Sequence, residues 1–572
     1  MPMQDLRKRD YWLFWTMALL VLGAGLGLRD PWPADEPRFA LVAKQMVESG
    51  NWLFPHRGTE LYSDKPPMLM WLQAAFYTIT SDWRVSFLLP SLLAGLGTLW
   101  CVQDLAGRLW TRRIGLYASW ALLFAFQFTW QAKKAQIDPL VTFFITLANY
   151  GLLRHLLLGP AWRWWILGWF FAGIGTITKG VGVLALLMLL PAAFASLRGW
   201  PGVRLHLRDA RSWLGPLAFL LAVSLWLVPV VSVALAQDLP EYRAYLDDIL
   251  FRQTAGRYSR SWDHHQPWWY HLGVMASMWI PPALALPWAI PAWRRRLRRL
   301  DPRYLLPLAW WALIVVFFSI PDGKRDVYVM PALPMMCLAL APLLPGLLRR
   351  RAARWLLLGL AVLVAVLFLY GGAALLSGHG SLDERLRDRR GLDPQAIIAG
   401  GWMLLAIGVW CLGCVLAFRR HALAALFGGL AGLWVTFGLV GYGLLNDASS
   451  ARGVMTAAGA RIGPDAELGL VAWKEQNLLM ADRPAATFGF KRPWDEQLQL
   501  GVAWQAQAPG RWLLVLEDVL EQCIDRERIE LAGISNRRRW YLVPAQAVTG
   551  PCVATEEEKA RAAASQHGED DG

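Results

Sequence analysis

Two neighbouring carboxylates, Asp35 and Glu36, follow the first long apolar segment of the chain in the stretch "PWPADEPRFALVAK". A third carboxylate, Asp138, precedes a proline at the start of a later apolar segment. Carboxylates held beside apolar segments can serve as a general base or orient a reacting group. Each also has a simpler structural interpretation, because Asp is a common N-cap residue of helices.

Basic and hydrogen-bonding side chains occur at the ends of other apolar segments, in "SDKPPM", "ITKG", "AGRYSRSWDHHQPWWY" and "SIPDGKRDVYVMP". The candidates there are Lys65, Lys179, Arg257, His264, Lys324, Arg325 and Tyr328. A single such cation can simply extend to the lipid headgroups. Several of them on one side of a membrane indicate an anion-binding site, most simply for a phosphate.

The composition is that of a polytopic α-helical membrane protein. Of the 572 residues, 56% are hydrophobic and 17% are charged, whereas a soluble domain carries about 25% charged residues. Apolar runs long enough to cross a bilayer recur along the chain. The net charge of +14 comes mostly from short basic loops, so it indicates membrane topology and not nucleic-acid binding.

Hydropathy and loop charge together predict about thirteen transmembrane helices. Their expected ranges are 11–28, 84–103, 114–131, 139–157, 164–178, 181–197, 213–234, 271–290, 304–320, 327–346, 355–376, 396–418 and 422–445. The basic loops place the N-terminus in the cytoplasm, and an odd number of spans then places the C-terminus outside. All the candidate residues fall at this outer face, where two helices within residues 35–80 are expected to lie along the membrane surface.

The apolar periodicity stops near residue 446, and a separate C-terminal domain is expected to follow. The stretches "ELGLVAW" and "RWLLVLED" predict buried strands, and "RRRWYLVPAQA" predicts an edge strand. Residues 447–555 are therefore assigned to a small extracytoplasmic α/β domain, in which Cys523 and Cys552 can pair. The charged tail, 556–572, is expected to be disordered.

The order of these motifs resembles the bacterial aminoarabinose transferases of lipid A, which belong to the GT-C superfamily with the protein O-mannosyltransferases. The matching features are the DE pair, DKPP, the Asp before the fourth span, TKG, the PWWY segment and GKR with its following Tyr and Pro. The resemblance implies a GT-C transmembrane domain over residues 1–446. It also implies a sugar donor carried on undecaprenyl phosphate, used at the periplasmic face of the inner membrane, with lipid A as one candidate acceptor.

The resemblance further implies a role for each candidate residue. Asp35 and Asp138 would be catalytic, with Glu36 less firmly placed, and transfer in a single displacement would invert the anomeric centre. The cations, His264 and Tyr328 would bind the donor phosphate. No cofactor is required, although a divalent cation near the donor stays open, with Asp64 and His264 as candidate ligands.

Alternative functions stay open at this point. A related GT-C enzyme could act on protein, on another glycan or on another lipid, and nothing in the sequence separates these acceptors. A transporter for a polar lipid would place its polar groups near the midplane, on broken helices within internal repeats. The sequence shows no repeat and few charges within the spans, which disfavours a transporter.

Overall fold

The computed structural model describes residues 8–206, 208–250, 265–378 and 381–567. Within these residues, nine helices are long and apolar enough to cross a membrane, or ten if one bent pair counts as a span. The nine are Trp83–Leu109, Ile137–Leu157, Gly180–Leu197, Ala210–Gln237, Pro302–Ser319, Asp326–Leu347, Arg351–Leu376, Pro394–Ala417 and Ala422–Ser449. The chain is therefore a polytopic helical membrane protein, as its composition predicted.

The first twelve α-helices position most of the candidate residues. They are α1 (Lys8–Gly23), α2 (Glu36–Ser49), α3 (Met68–Thr80), α4 (Trp83–Ser86), α5 (Leu89–Leu109), α6 (Arg112–Leu123), α7 (Phe126–Ala132), α8 (Ile137–Leu157), α9 (Trp162–Thr176), α10 (Leu189–Leu197), α11 (Leu214–Gln237) and α12 (Pro240–Asp247). Later α-helices cover Tyr270–Met278, Leu286–Arg298, Pro302–Ser319, Leu333–Leu340, Leu344–Leu347, Arg351–Leu376, Ser381–Arg390, Pro394–Ala417, Ala422–Thr436 and Tyr442–Ser449. Two 3-10 helices matter for the site, Gly180–Met188 and Asp326–Ala332.

The remaining predicted spans are helical but shorter or interrupted. The prediction for 11–28 meets α1, which has 16 residues, and the prediction for 164–178 meets α9, which has 15. The prediction for 114–131 meets α6 and α7, which are separate helices. The prediction for 271–290 meets a helix pair bent by 101° at a break that contains Pro281. Proline removes a backbone donor and clashes with the preceding turn, so helices break there.

Residues 29–82, called the first outer segment after their predicted side of the membrane, contain the two helices predicted within residues 35–80. Pro37 stands in the first turn of α2, where its missing N–H costs no hydrogen bond. Gly50 ends α2 in the left-handed conformation with φ 71°, which glycine adopts without strain. A short antiparallel hairpin, β1 (His56–Arg57) and β2 (Glu60–Leu61), joins α2 to α3. The start of α2 thus positions Asp35 directly before it, and the start of α3 positions Lys65 three residues before it.

The C-terminal part is a five-stranded mixed sheet with helices around it. Its strands are β3 (Glu467–Val471), β4 (Ala485–Thr487), β5 (Arg511–Leu516), β6 (Glu530–Ser535) and β7 (Arg538–Pro544), in the order β4-β3-β5-β7-β6. Strand β3 runs parallel to β4 and β5, and β7 runs antiparallel to β5 and β6. Strand β7 is therefore an interior strand, and the predicted edge position is wrong. The helices of this part are Arg452–Ile462, Glu475–Leu479, Trp494–Gln505 and Glu556–His567.

The C-terminal domain packs against the first outer segment and shares a core with it. Ala40 and Leu41 of α2 and Phe87 belong to the same buried cluster as Leu470 and Leu514 of the sheet. Cys523 and Cys552 form a disulfide bond, as their location predicted. The sheet is therefore held against α2, the helix that begins directly after Asp35.

The predicted disorder of the tail is wrong for Glu556–His567, which forms a helix. Arg538 donates to the Ser565 hydroxyl and carbonyl at 2.8 and 3.1 Å, and Arg561 donates to the Asp518 carbonyl at 3.0 Å. These contacts with the sheet give an apolar-poor segment a fixed position. The rest of the predicted tail lies outside the described residues.

Candidate active site

Asp35 lies where three separate parts of the chain meet. Its carboxylate accepts a hydrogen bond from Gln136 Nε2 at 3.3 Å. The Arg325 guanidinium lies 3.6 Å from it, and the guanidinium of Arg38 lies 3.9 Å from it. Asp35 occupies the N-cap position of α2 but makes no capping hydrogen bond through its side chain. The simple capping interpretation is therefore wrong, and the carboxylate faces an amide and two cations instead.

Glu36 has a different environment, although it is the next residue. Its side chain is buried, and both of its oxygens bind the Arg29 guanidinium in a bidentate ion pair. The backbone N–H groups of Trp32 and Ala135 also donate to the Glu36 carboxylate, at 2.8 and 2.9 Å. Each oxygen therefore accepts two hydrogen bonds. This environment favours an anchoring role for Glu36 over the predicted catalytic one.

Asp138 pairs with Lys179 at the start of α8. The Lys179 ammonium donates to the Asp138 carboxylate at 2.6 Å and lies 5.0 Å from the centre of the Tyr328 ring. Both side chains of the pair are about one-fifth exposed or less, at 16% for Asp138 and 20% for Lys179. Gln136, which donates to Asp35, precedes Asp138 by two residues. Both carboxylates therefore flank the N-terminal end of α8, which carries a partial positive charge.

The segment before the 3-10 helix Asp326–Ala332 supplies a cation from the opposite side. Arg325 reaches Asp35 through its side chain, while its carbonyl oxygen lies 3.3 Å from His271 Nε2. The neighbouring Lys324 is buried, and its ammonium donates to the Gln266 carbonyl at 2.8 Å. Of the predicted phosphate-binding residues here, Arg325 and Tyr328 lie with the two carboxylates. Lys324 instead binds this segment to the backbone at Gln266.

Lys65 lies in the first outer segment, just before α3, and it is half-buried. Its neighbour Asp64 accepts a hydrogen bond from the Arg57 guanidinium at 3.3 Å. Burial alone would raise the pKa of Asp64, but the nearby charges of Arg57, Arg38, Lys65 and Lys491 hold it below its ordinary value. Lys65 thus belongs to a cluster of cations that lies mostly within the first outer segment. The predicted residues Arg257 and His264 lie outside the described residues.

Comparison with known proteins identifies the family. Residues 64–229 match the model of the dolichyl-phosphate-mannose-protein mannosyltransferases. The undecaprenyl phosphate-α-4-amino-4-deoxy-L-arabinose arabinosyl transferase of Pseudomonas savastanoi pv. phaseolicola is 30% identical over 371 residues, which cover 64% of this chain and 66% of that protein. The enzyme of the same name from Pseudomonas aeruginosa strain LESB58 is 28% identical over 450 residues, 74% of this chain and 75% of that protein. The chain is a member of the aminoarabinose transferase-like family of GT-C glycosyltransferases.

Solved structures agree on the fold of this family member. The crystal structure of ArnT from Cupriavidus metallidurans bound to undecaprenyl phosphate matches with a TM-score of 0.73 and 19% sequence identity, over 96% of this chain and 100% of that one. The apo structure of the same protein matches with a TM-score of 0.71 and 20% identity, over 95% of this chain and 99% of that one. In sequence, by contrast, this chain aligns with only part of the length of its relatives, 66% and 75% for the two Pseudomonas enzymes.

The family resemblance left a divalent cation open, with Asp64 as one candidate ligand. Asp64 does not fit, because it is already ion-paired and surrounded by basic side chains. In the described part of the chain, the one close group of potential ligands is Glu521 with Cys523 and Cys552. Those two cysteines form the disulfide, so they offer no thiolate to a metal.

Several residues that the sequence did not single out belong to this site. Arg38 follows Asp35 by three residues, a spacing that places two helix side chains side by side and could have indicated the pair. The Lys134 ammonium lies 4.3 Å from the Trp130 ring and close enough to Asp35 to interact electrostatically. Gln136 had no signal of its own, because its contact with Asp35 joins residues 101 positions apart.

Proposed function

We propose that this protein is an integral-membrane glycosyltransferase that moves 4-amino-4-deoxy-L-arabinose from undecaprenyl phosphate to a lipid acceptor. The observation that carries the proposal is the meeting of Asp35 and Asp138 with Arg325, Arg38 and Lys179 at one end of α8. Relatives at 28–30% identity carry the name of this activity, and the fold matches a transferase that binds undecaprenyl phosphate. The acceptor that the family resemblance favours is a phosphate group of lipid A.

The basic side chains would meet the charge that builds up on the donor. When the bond from the sugar to the phosphate breaks, negative charge grows on the departing undecaprenyl phosphate. Fixed cations stabilise that charge well because they need no rearrangement at the moment of reaction. Three of the predicted phosphate-binding cations lie near the carboxylates or in the first outer segment, namely Lys65, Lys179 and Arg325. These cations can stabilise the leaving group, so we propose that transfer needs no resident cofactor.

The carboxylates would act on the other side of the sugar. Loss of the phosphate leaves positive charge on the sugar ring, which an ionised carboxylate stabilises. An acceptor phosphate is already ionised and needs no strong base, so Asp35 would orient the acceptor and balance the ring charge. With a hydroxyl acceptor, Asp35 would remove its proton as a general base. A single displacement from the face opposite the phosphate inverts the anomeric centre.

The proposed orientation places the site at the periplasmic face of the bacterial inner membrane. Short basic loops assign the N-terminus to the cytoplasm. The Cys523–Cys552 disulfide supports a periplasmic C-terminal domain, because disulfides persist in oxidising compartments. Donor and acceptor are both lipids, so a site at the ends of the membrane helices lets their tails stay in the bilayer.

The test is the variant Asp35→Asn in cells and in purified form. Removing the charge while keeping the shape should lower transfer at least about 100-fold, the contribution typical of a positioned acid or base. Mass spectrometry of lipid A measures the product as the added mass of one pentosamine. Glu48→Gln is the matched control, since Glu48 lies on the same helix and its side chain is 60% exposed. Transfer by Asp35→Asn at the wild-type rate would refute the catalytic assignment, and lipid A unchanged by the wild-type protein would refute the acceptor.

A further inference from the structure

Glu475 is a buried carboxylate of the C-terminal domain that faces the first outer segment. It is the first residue of the short helix Glu475–Leu479, which follows β3, and only 3% of its surface is exposed. Its carboxylate accepts a hydrogen bond from Arg38 Nε at 3.0 Å and lies 3.5 Å from the Arg57 guanidinium. One carboxylate from the C-terminal domain therefore binds two arginines more than 400 residues earlier in the chain.

Arg38 connects Glu475 to the catalytic carboxylate. Its Nε atom points at Glu475, while its Nη1 atom lies 3.9 Å from Asp35. A guanidinium is planar and rigid, so binding one edge sets the direction of the other. The hydrogen bond to Glu475 is the shorter contact, which keeps Arg38 from closing fully onto Asp35. The position of Glu475 thus sets how much of the Arg38 charge Asp35 experiences.

Arg57 connects Glu475 to the phosphate side of the site. The Arg57 side chain is buried, and its Nη1 atom lies 3.3 Å from Asp64, the residue before Lys65. The Arg57 guanidinium also lies over the Phe490 ring of the C-terminal domain, 3.8 Å from its centre. A buried guanidinium needs a nearby counter-charge to stay in place. Glu475 and Asp64 both supply that charge to the same nitrogen of Arg57, at 3.5 and 3.3 Å, and together they fix the chain that carries Lys65.

We propose that Glu475 is a positioning residue, through which the C-terminal domain sets Arg38 against Asp35 and Arg57 against the Asp64–Lys65 turn. The inference rests on the proposed function, because it assigns Asp35 to the transfer step and Lys65 to donor binding. It assigns the C-terminal domain a part in the reaction itself, by completing a site whose reacting residues all lie within residues 1–446.

The test compares Glu475→Gln and Glu475→Asp with the wild-type protein in proteoliposomes. The glutamine keeps the size of the side chain and removes the charge, and the aspartate keeps the charge. We expect Glu475→Gln to lower kcat about tenfold and to raise the KM for the undecaprenyl-phosphate-linked aminoarabinose about threefold, as small misplacements of reacting groups do. Glu475→Asp should recover most of both changes. Glu467→Gln is the matched control, because Glu467 pairs with Arg511 within the same sheet and is 62% exposed.

Two results distinguish positioning from a purely structural role. Loss of folded protein lowers the apparent kcat and leaves KM unchanged, so an unchanged KM in Glu475→Gln would overturn the proposal. If Glu475 acts through Arg38, adding Arg38→Met to Glu475→Gln should lower kcat no further, whereas independent effects would multiply. Multiplying effects, or wild-type kinetics in Glu475→Gln, would also overturn it.

Failure of the proposed function has a different signature. A wild-type protein that transfers no aminoarabinose would refute that function without testing Glu475. Binding of undecaprenyl phosphate alone, followed by tryptophan fluorescence, then tests the inference separately. Glu475→Gln should weaken this binding about threefold through Arg57 and Lys65, and unchanged binding would overturn the donor side of the proposal.

Discussion

At the scale of single residues, Asp35 and Glu36 show how neighbours of similar chemistry take different roles. Asp35 has contacts of 3.3 to 3.9 Å to an amide and two arginines, which a substrate can displace or share. Glu36 is enclosed, with each oxygen bound to Arg29 and to one backbone N–H. The first environment suits a reacting group, and the second suits an anchor for the chain around it.

The anchoring role of Glu36 leads to a prediction for Glu36→Gln. Arg29 is 1% exposed, and removing its counter-charge leaves a buried cation unpaired, which should lower the free energy of unfolding by about 3 kcal/mol. Thermal unfolding of the purified protein in detergent measures the loss. Asp35→Asn should unfold near the wild-type temperature while it loses transfer. A Glu36→Gln protein with wild-type thermal stability and no transfer would instead make Glu36 catalytic.

The sequence could predict that this pair matters but could not divide its two roles. The division depends on Ala135 and Gln136, which lie about a hundred positions away, at separations of 99 and 101 residues. Lys324 and Arg325 show the same limit, because adjacent cations in one motif point to different partners. Residue type was visible in the pattern, whereas side-chain direction required the fold.

At the scale of elements, hydropathy located the helices but not their breaks. The apolar run 114–131 reads as one span, yet it divides into α6 and α7, and Phe126 at the start of α7 donates its N–H to the Ile280 carbonyl. Ile280 itself lies at the bend of a second interrupted span. Such breaks are set by contacts between distant helices, so a periodicity along one segment does not contain them.

Asp30 joins three elements, and its ionisation should make their attachment pH-dependent. Burial alone would raise the pKa of Asp30, but hydrogen bonds from Arg452, Arg84 and Asn446 lower it from 3.8 to about 2. A lowered pKa contributes stability that is complete above the unfolded value and is lost as the pH falls through the folded value. The attachment of α4 and of the helix Arg452–Ile462 to the first outer segment should therefore weaken between about pH 4 and pH 2.

The variant Asp30→Asn tests this attachment. At neutral pH it should be less stable than the wild-type protein by about 2 kcal/mol, the equivalent of the change in pKa. The difference should shrink as the pH approaches 2, because the wild-type carboxylate becomes protonated. Chemical unfolding followed by tryptophan fluorescence measures both curves. Asp82→Asn is the control in the same outer segment, and a stability difference independent of pH would contradict the role of the ionised Asp30.

At the scale of the whole molecule, the C-terminal domain packs directly against the part of the chain that carries the candidate site. Its sheet shares a core with α2, and its Glu475 binds Arg38 and Arg57. The sequence predicted three of the five strands and indicated that Cys523 and Cys552 can pair, but it could not predict this docking, which joins residues more than 400 positions apart. The orientation of this domain therefore determines the side of the membrane on which the site works.

The disulfide allows that orientation to be measured in cells. The free cysteines are buried, namely Cys101, Cys337, Cys411 and Cys414. After reduction, the half-buried Cys523 should therefore be the thiol that water-soluble reagents reach first, since Cys552 is itself buried. In spheroplasts with an intact inner membrane, a membrane-impermeant reductant followed by a maleimide polymer should shift the protein on a gel. The double variant Cys523→Ser with Cys552→Ser should show no shift, and the wild-type protein should show none without reductant. A wild-type shift that requires permeabilised membranes would place the C-terminal domain, and the Asp35 site that it covers, in the cytoplasm.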